Sequence, residues 1–162
     1  MSNRKKVILT GSFGVGKTSI FRRFISNTFS EKYITTIGVK VDKRTVVVEG
    51  EEVSIILWDI AGEVKQDKVP KTYFLGASAI IYVFDLTRPS TYKNTDTDLA
   101  ILNDILPGVL IRVVGNKEDL VTAEKVEQVR AEIKQSVDVI TSAKTGKNVE
   151  ELFEDLARAF LT

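Results

Sequence analysis

Residues 5–24 read KKVILTGSFGVGKTSIFRRF, and this stretch decides the fold. The apolar run Val7–Leu9 breaks into a segment with three glycines, and a helical pattern follows Lys17 and Thr18. A short continuous apolar run is typical of a strand that is covered on both faces of a sheet. The stretch therefore predicts a buried strand, a glycine-rich loop and a helix that begins near Lys17.

The same alternation of strand and helix continues along the chain. Continuous apolar runs at Ala79–Phe84 and Val109–Val114 predict two more buried parallel strands, and a short strand is predicted at Val137–Ile140. A helical pattern lies within Ala123–Gln135, and the clearest amphipathic helix comes at the end of the chain. One face of that last helix carries Val149, Leu152, Phe153, Leu156 and Phe160.

Residues 39–59 depart from this alternation and read as an antiparallel hairpin. A strand at Val39–Glu49 is followed by turn residues at 49–51 and by a second strand that ends at Asp59. The predicted fold is a three-layer α/β sandwich whose mostly parallel sheet has one antiparallel edge strand, in a single domain over residues 1–162. Ligands bind beyond the carboxyl ends of the strands in such sheets.

The composition excludes several classes of function. The 23 Lys and Arg balance 22 Asp and Glu, so no basic footprint for nucleic acid is present. The chain has no cysteine and no histidine, which excludes disulfides, thiolate or histidine metal sites, histidine acid–base catalysis and a cysteine-linked lipid anchor. It also has neither an apolar run of about 20 residues nor a signal-peptide core, so a cytoplasmic location is expected.

The loop Gly11–Thr18 matches G-x-x-x-x-G-K-[ST] in full, a pattern that binds phosphates. Its glycines let backbone N–H groups turn toward phosphate oxygens, and the following helix adds the positive end of its dipole. Lys17 would supply charge to the β- and γ-phosphates, and the Thr18 hydroxyl is placed to ligate Mg²⁺. The plain alternative is a glycine-rich turn that only connects strand to helix. A dinucleotide fingerprint is excluded, because Phe13 stands where its second glycine would be.

Two later segments bear on the choice of base, which a phosphate loop alone leaves open between ATP and GTP. Asn116-Lys117-Glu118-Asp119 follows the strand IRVVG, and TSAKTG at 141–146 follows the next strand. The Asp119 carboxylate can accept from both N1–H and the exocyclic amine of guanine, whereas adenine has no such pair of donors. The N–H of Ala143 could meet the base carbonyl. The residues therefore favour guanine.

Taken in order, GSFGVGKT, YITTIGV, WDIAGE, NKED and TSAK resemble the motifs of the Ras superfamily of small GTPases, most closely its Rab-like branch. The resemblance covers nearly the whole chain. It implies a P-loop NTPase fold with a six-stranded, mostly parallel sheet and five helices. It further implies a molecular switch that binds GTP or GDP with Mg²⁺ and hydrolyses GTP to GDP and phosphate.

The resemblance also implies roles for individual residues. Mg²⁺ would be held by Thr18, Thr36 and Asp59. Catalysis would involve Lys17, Thr36, Gly62 and Glu63, with the N–H groups of residues 36 and 62 near the γ-phosphate. The nucleotide would be bound by Phe13, Gly14, Val15, Gly16, Lys17, Thr18, Ser19, Phe29, Thr36, Gly62, Asn116, Lys117, Asp119, Ser142, Ala143 and Lys144. Phe29 would pack on the guanine plane; the alternative is an ordinary core phenylalanine.

Two segments, near residues 30–38 and 60–73, are the implied switches. The γ-phosphate would hold both, and partner proteins would read the difference after hydrolysis. Trp58 and Tyr73 match two positions of an aromatic cluster that this branch presents to effectors, and Val41 replaces the third. The chain is expected to act as a monomeric G domain that binds effector and regulatory proteins but neither nucleic acid nor, through a lipid of its own, a membrane.

Two residues depart from the family pattern where hydrolysis occurs. Glu63 stands in place of the usual Gln, and an ionised Glu can only accept hydrogen bonds and faces the γ-phosphate charge. Phe13 replaces a small residue and would crowd position 63 and any arginine finger from a partner. These departures support an alternative, a scaffold that binds GTP or GDP with slow or lost hydrolysis. An ATP-dependent kinase is a third reading, and NKED argues against it.

Overall fold

The computed structural model describes residues 3–30, 38–60, 70–134 and 137–162. Its six strands are β1 (Asn3–Gly11), β2 (Val39–Val48), β3 (Glu51–Ile60), β4 (Ala77–Asp85), β5 (Leu110–Asn116) and β6 (Val139–Ile140). Four α-helices lie in the described residues: α1 (Lys17–Ser26), α2 (Thr95–Ile105), α3 (Ala123–Glu132) and α4 (Val149–Phe160). Short 3-10 turns occur at 71–73, 89–91 and 118–120.

The strands form one sheet in the order β2-β3-β1-β4-β5-β6. Every neighbouring pair is parallel except β2 and β3, which form the predicted antiparallel hairpin at the sheet edge. Its two-residue turn has Glu49 at φ 52° and Gly50 at φ 76°, as a type I′ hairpin turn requires. The predicted sheet, with one antiparallel edge strand, is confirmed.

Helices cover both faces of the sheet, which makes the predicted three layers. Along β1, Val7 and Leu9 point to a core shared with α1 and α4, where the rings of Phe24 and Phe153 stack at 3.8 Å. Ile8 points to the opposite core, which contains buried residues of α2 and α3. None of the helices in the described ranges is long and apolar enough to cross a membrane.

Two element boundaries are shorter than the sequence pattern predicts. Helix α3 ends at Glu132 and Ile133 is already extended, so the helix does not reach residue 135. Strand β6 contains only Val139 and Ile140. Just before it, the Asp138 carboxylate accepts the Val113 N–H at 2.7 Å, and a side chain thus takes the place of a ladder carbonyl.

The fold positions the predicted motifs at one end of the sheet, where the parallel strands have their carboxyl ends. Because β1, β3, β4, β5 and β6 are parallel, their carboxyl ends all lie on the same side of the sheet. The glycine loop follows β1, Asp59 lies at the end of β3, Asn116 ends β5, and residues 141–146 follow β6. Ligands bind beyond the carboxyl ends of the strands in open α/β sheets, so the motifs lie where a ligand is expected.

Candidate functional site

The loop between β1 and α1 has a backbone that only glycine adopts easily. Gly11, Gly14 and Gly16 have φ values of 144°, 77° and 103°. A Cβ on Gly11 would collide with the carbonyl oxygen of Val83, and one on Gly16 would collide with the Asn116 amide. The glycines are therefore needed both for the turn and for the close approach of β4 and β5.

Side chains hold the carbonyl groups of this loop in sequence. The Lys17 ammonium donates to the carbonyls of residues 11 and 12, at 3.1 and 3.0 Å. The next three carbonyls accept from Arg88 at 3.0 Å, Lys117 at 2.9 Å and Asn116 at 3.0 Å. These contacts hold the loop in one conformation, as expected of a loop whose backbone N–H groups are to bind an anion.

Lys17 is buried, with 6% of its surface exposed. Burial lowers its pKa from 10.5 to about 8, and the nearby Asp59 carboxylate opposes part of that shift. A buried ammonium whose present partners are two carbonyls is poised to exchange them for an anion. The charge of a polyphosphate would favour the protonated form.

The lowered pKa of Lys17 predicts how the stability of the nucleotide-free protein depends on pH. Between pH 8 and 10.5 the unfolded chain holds a proton that the folded protein has released, so stability rises with pH in that window. We expect this residue to add about 2 kcal/mol to the free energy of unfolding between pH 7.5 and 9.5. Urea unfolding in EDTA, with wild type and Lys17→Met compared at both pH values, measures it. The prediction would be contradicted if the difference in free energy of unfolding between wild type and Lys17→Met were the same at both pH values.

Thr18 and Asp59 bring two oxygen ligands together beside the loop. The Thr18 hydroxyl donates to Asp59 Oδ2 at 2.6 Å, and Asp59 is fully buried at the end of β3. Hydroxyl and carboxylate oxygens are the donors that Mg²⁺ prefers, so this pair fits the predicted cation. Thr36, the third predicted ligand, lies outside the described residues, as do Gly62 and Glu63.

The Asn116 amide connects the loop to the 141–146 segment. Its nitrogen donates to the Val15 carbonyl, and its oxygen accepts from the Thr141 hydroxyl at 3.0 Å and from the Ala143 N–H at 3.2 Å. Asn116 is buried, so water does not compete for these bonds, which join the end of β5 to the glycine loop and to the 141–146 segment. The predicted base-binding residues thus lie next to the predicted phosphate-binding residues.

Asp119 presents a carboxylate at the surface beside this junction. Ser142 donates its hydroxyl to Asp119 Oδ1 at 2.7 Å, and Asp119 is otherwise exposed. The two flanking loops are further joined by an ion pair between Lys147 and Glu118 at 2.6 Å. Asp119 is therefore oriented by a neighbour and open to a ligand.

Asp85, a fully buried carboxylate at the end of β4, is a site residue that was not predicted from the sequence. Its Oδ2 lies 2.9 Å from the Lys117 ammonium and 3.9 Å from the Arg88 guanidinium, while its Oδ1 accepts from the N–H and hydroxyl of Thr87. Asp85 thereby orients two of the side chains that hold the glycine loop. Its place at the end of a predicted parallel strand was the signal that could have identified it.

The structure also describes the remaining predicted binding residues Ser19, Lys144, Phe29 and Phe13. Ser19 is in the first turn of α1, and Lys144 is exposed on the 141–146 segment. Phe29 is half-buried and packs against the core beneath α1 and α4. Phe13 is 41% exposed on the outside of the loop.

A partly exposed aromatic pair lies on the face of β3. The rings of Trp58 and Tyr73 are 6.2 Å apart, and the Lys6 ammonium lies 3.8 Å from the centre of the Trp58 ring. The register of the hairpin places Val41, which is exposed, directly opposite Trp58. The three positions predicted for partner contact thus form one continuous surface.

Known proteins similar to this chain belong to one family. A family model described as the Ras family matches residues 6–162. The chain is 36% identical over 161 residues to the Ras-related protein Rab-13 of Rattus norvegicus, a match that covers 96% of this chain and 79% of that protein. It is 37% identical over 158 residues to the GTP-binding protein ypt1 of Schizosaccharomyces pombe, covering 94% of this chain and 78% of that protein.

Proposed function

The chain belongs to the Ras family of small GTPases, and on that premise we propose that this site binds GTP and GDP with Mg²⁺ and hydrolyses GTP as a molecular switch. The observation that carries the proposal is the junction at Asn116. One buried amide bonds both to the glycine loop and to the segment after β6, so the two ends of a nucleotide would meet groups held by one side chain. A loop that only connected strand to helix would not need this junction.

The guanine would bind between Asp119 and Ala143. Ser142 already holds one oxygen of the Asp119 carboxylate, which leaves the group oriented for N1–H and the exocyclic amine. The Ala143 N–H, which now donates to Asn116, would turn to the carbonyl of the base. Phe29 would cover one face of the ring. Each contact suits guanine, whereas adenine would leave the carboxylate without donors.

The phosphates would occupy the concave side of the loop. The Lys17 ammonium would leave the carbonyls of Gly11 and Ser12 and pair with phosphate oxygens. Thr18 and Asp59, together with Thr36, would hold Mg²⁺, which neutralises charge on the phosphates when bound. The N–H groups of the loop and of the first turn of α1 would orient the transferred group and stabilise its charge.

The switch segments would be residues 30–38 and 60–73, and most of both lies outside the described residues. The second segment begins at Ile60, directly after Asp59, which bonds to Thr18. The first segment ends at Gly38, next to Val39, which pairs with Ile60. Partner proteins would contact these segments and the adjoining surface of Val41, Trp58 and Tyr73. Trp and Tyr are enriched among the residues that dominate binding energy at interfaces.

We further propose that hydrolysis is slow, because Phe13 and Glu63 replace the residues that the family pattern has there. A carboxylate about 5 Å from the γ-phosphate charge is repelled by roughly 3 kcal/mol at an effective dielectric constant near 20. The exposed ring of Phe13 would obstruct an arginine from a partner. The alternative function is a scaffold that binds GTP or GDP and whose hydrolysis is slow or lost, and the rate of hydrolysis distinguishes it from the switch.

Replacing either residue is expected to accelerate hydrolysis. In single-turnover experiments with GTP, Glu63→Gln should raise the rate about tenfold or more, since it removes the repulsion and restores a donor. Phe13→Gly should raise the rate mainly in the presence of an arginine-supplying partner. Arg158→Ala, on α4 and in contact with Glu49, is the matched control and should have no effect. Rates that stay within twofold of wild type in both variants would show that these residues do not limit the chemistry.

Phosphate release with Mg²⁺ separates the proposed functions. A guanine-specific switch releases phosphate from GTP, and excess ATP does not inhibit it. A scaffold binds GTP and GDP but releases little or no phosphate. A kinase would use ATP, so excess ATP would compete with GTP for the site, and phosphate transfer would require an acceptor. Absence of GTP and GDP binding would refute both the switch and the scaffold.

A further inference from the structure

Arg23, on the last turn of α1, reaches from that helix to the segment after β6. Its Nε donates to the Ala143 carbonyl at 2.9 Å and its Nη2 donates to the Lys144 carbonyl at 2.6 Å. A third bond, from Nη1 to Asn27 Oδ1 at 3.2 Å, braces the guanidinium against its own helix. The contacts span about 120 positions in the chain, and Arg23 belongs to none of the motifs recognised in the sequence.

The planar guanidinium suits the place that it occupies. It offers several N–H donors in a fixed fork, so it can bind two successive carbonyls at once, which a lysine cannot match. A Cβ on Gly146 would lie 3.8 Å from Arg23 Nε, so the guanidinium packs along the glycine that closes the turn. That turn is also closed from within, because the Gly146 N–H donates to the Ser142 carbonyl at 2.8 Å. Arg23 therefore holds the turn from outside.

These bonds bear on the group that would contact the base. The carbonyls bound by Arg23 belong to the two consecutive peptide units that follow the α-carbon of Ala143. The Ala143 N–H lies in the preceding peptide unit and donates into the interior of the site, to Asn116. Fixing the two carbonyls that follow limits how far this N–H can turn away from the interior. Without Arg23, the carbonyls of residues 143 and 144 would turn to water and the orientation of this N–H would be lost.

Arg23 also joins the two ends of the site through a rigid element. Helix α1 begins at Lys17, within the phosphate loop, and Arg23 lies six residues later. At a rise of 1.5 Å per residue, the backbone of Arg23 lies about 9 Å along the helix axis from the start of α1. The base loop is thus fixed with respect to the phosphate loop by α1 as well as by Asn116.

We propose that Arg23 is a positioning residue for guanine recognition: it orients the Ala143 N–H toward the base carbonyl and so slows the release of guanine nucleotide. This inference rests on the proposed function. It adds a residue outside the motifs and assigns it to one atom of the base, the oxygen at C6. Arg23 does not touch the nucleotide itself.

The first test is the release of a fluorescent GDP analogue from the complete chain with Mg²⁺. Arg23→Gln should release it about tenfold faster than wild type, and Arg23→Lys, which keeps charge but loses the fork, should fall between the two. Arg22→Gln changes the same type of residue one position earlier and should stay within twofold of wild type. Equal acceleration in both glutamine variants would overturn the proposal, because it would indicate a general effect of charge on α1.

The second test separates positioning from general support of the fold. The probe is the diphosphate of 2-aminopurine riboside, which keeps the exocyclic amine but lacks the C6 oxygen and the N1 proton. Because the lost N1 proton weakens its binding to wild type as well, each variant is compared with wild type for the same nucleotide. Arg23→Gln should weaken GDP about tenfold and leave this analogue within twofold of wild type. An equal loss for both nucleotides would overturn the proposal. If Arg23→Gln fails to fold, as judged by thermal unfolding, Arg23→Lys takes its place. Failure of wild type to bind GDP would instead refute the proposed function.

Discussion

Asp119→Asn is expected to lower the affinity for GDP by about 10²–10³-fold and to raise the affinity for xanthosine diphosphate, in which xanthine replaces guanine. Two hydrogen bonds from guanine to a carboxylate are each worth about 1.5–3 kcal/mol, and an amide presents one donor where an acceptor is needed. Xanthine has a carbonyl in place of the exocyclic amine, so the new amide would complement it. Ser142 would still orient the side chain, since its hydroxyl can donate to the amide oxygen. Equilibrium competition among guanosine, xanthosine and adenosine diphosphates measures all three affinities.

A matched carboxylate elsewhere separates base recognition from a loss of surface charge. Asp104 is exposed on α2, and Asp104→Asn makes the same chemical change away from the site. It should leave every nucleotide affinity within twofold of wild type. If Asp119→Asn kept its preference for GDP over xanthosine diphosphate, the assignment of Asp119 to the base would be wrong.

Gly11→Ala is expected to destabilise the fold by about 4 kcal/mol or more, enough to lower the melting temperature by about 10 °C. Gly11 ends β1 opposite Val83 on β4, and the new methyl group would collide with the carbonyl of Val83. That atom belongs to the backbone of a central strand, so rotation of a side chain cannot relieve the collision. The φ of 144° adds strain for any residue with a Cβ. Thermal unfolding without nucleotide measures the effect.

Gly108→Ala distinguishes collision from backbone strain. Gly108 also has a positive φ, 78°, but no atom lies within 4 Å of the position that its Cβ would take. Its substitution should cost only the strain of the left-handed conformation, about 1–2 kcal/mol. A melting temperature of Gly11→Ala within 2 °C of that of Gly108→Ala would show that β1 and β4 can separate without cost.

The parts of the fold that could be predicted from the sequence are those determined by patterns within a short stretch of residues. Continuous apolar runs marked β1, β4 and β5, and alternation with a turn marked the hairpin; the structure confirms the six-stranded sheet and its antiparallel edge strand. The resemblance to the Ras superfamily, Rab-like branch, is confirmed by the family match and the relatives. Helix α2 was not singled out, because only Thr95 and Leu102 of its residues are buried and its apolar stripe is weak.

The residues of the candidate site likewise fall into those that a short motif predicts and those that depend on contacts between distant segments. Residues such as Lys17 and Asn116 belong to contiguous motifs, and each motif carries its own chemical logic. Asp85 and Arg23 act through contacts with distant segments, and a single charged residue on a strand end or helix face resembles many others that only face solvent. Their roles depend on which segments the topology brings together. The strand end at Asp85 marks it as a candidate, but neither its position nor that of Arg23 predicts the partner that each side chain meets.

The most direct test of the central claim is a competition experiment with purified, folded protein and Mg²⁺. Unlabelled GTP, GDP, ATP and ADP would each displace a fluorescent guanine nucleotide. We expect GTP and GDP to compete at concentrations at least 10³-fold below those of the adenine nucleotides, because a site built to bond the donors of one base rejects the other strongly. Equal competition by all four nucleotides, or no binding of any, would contradict the account.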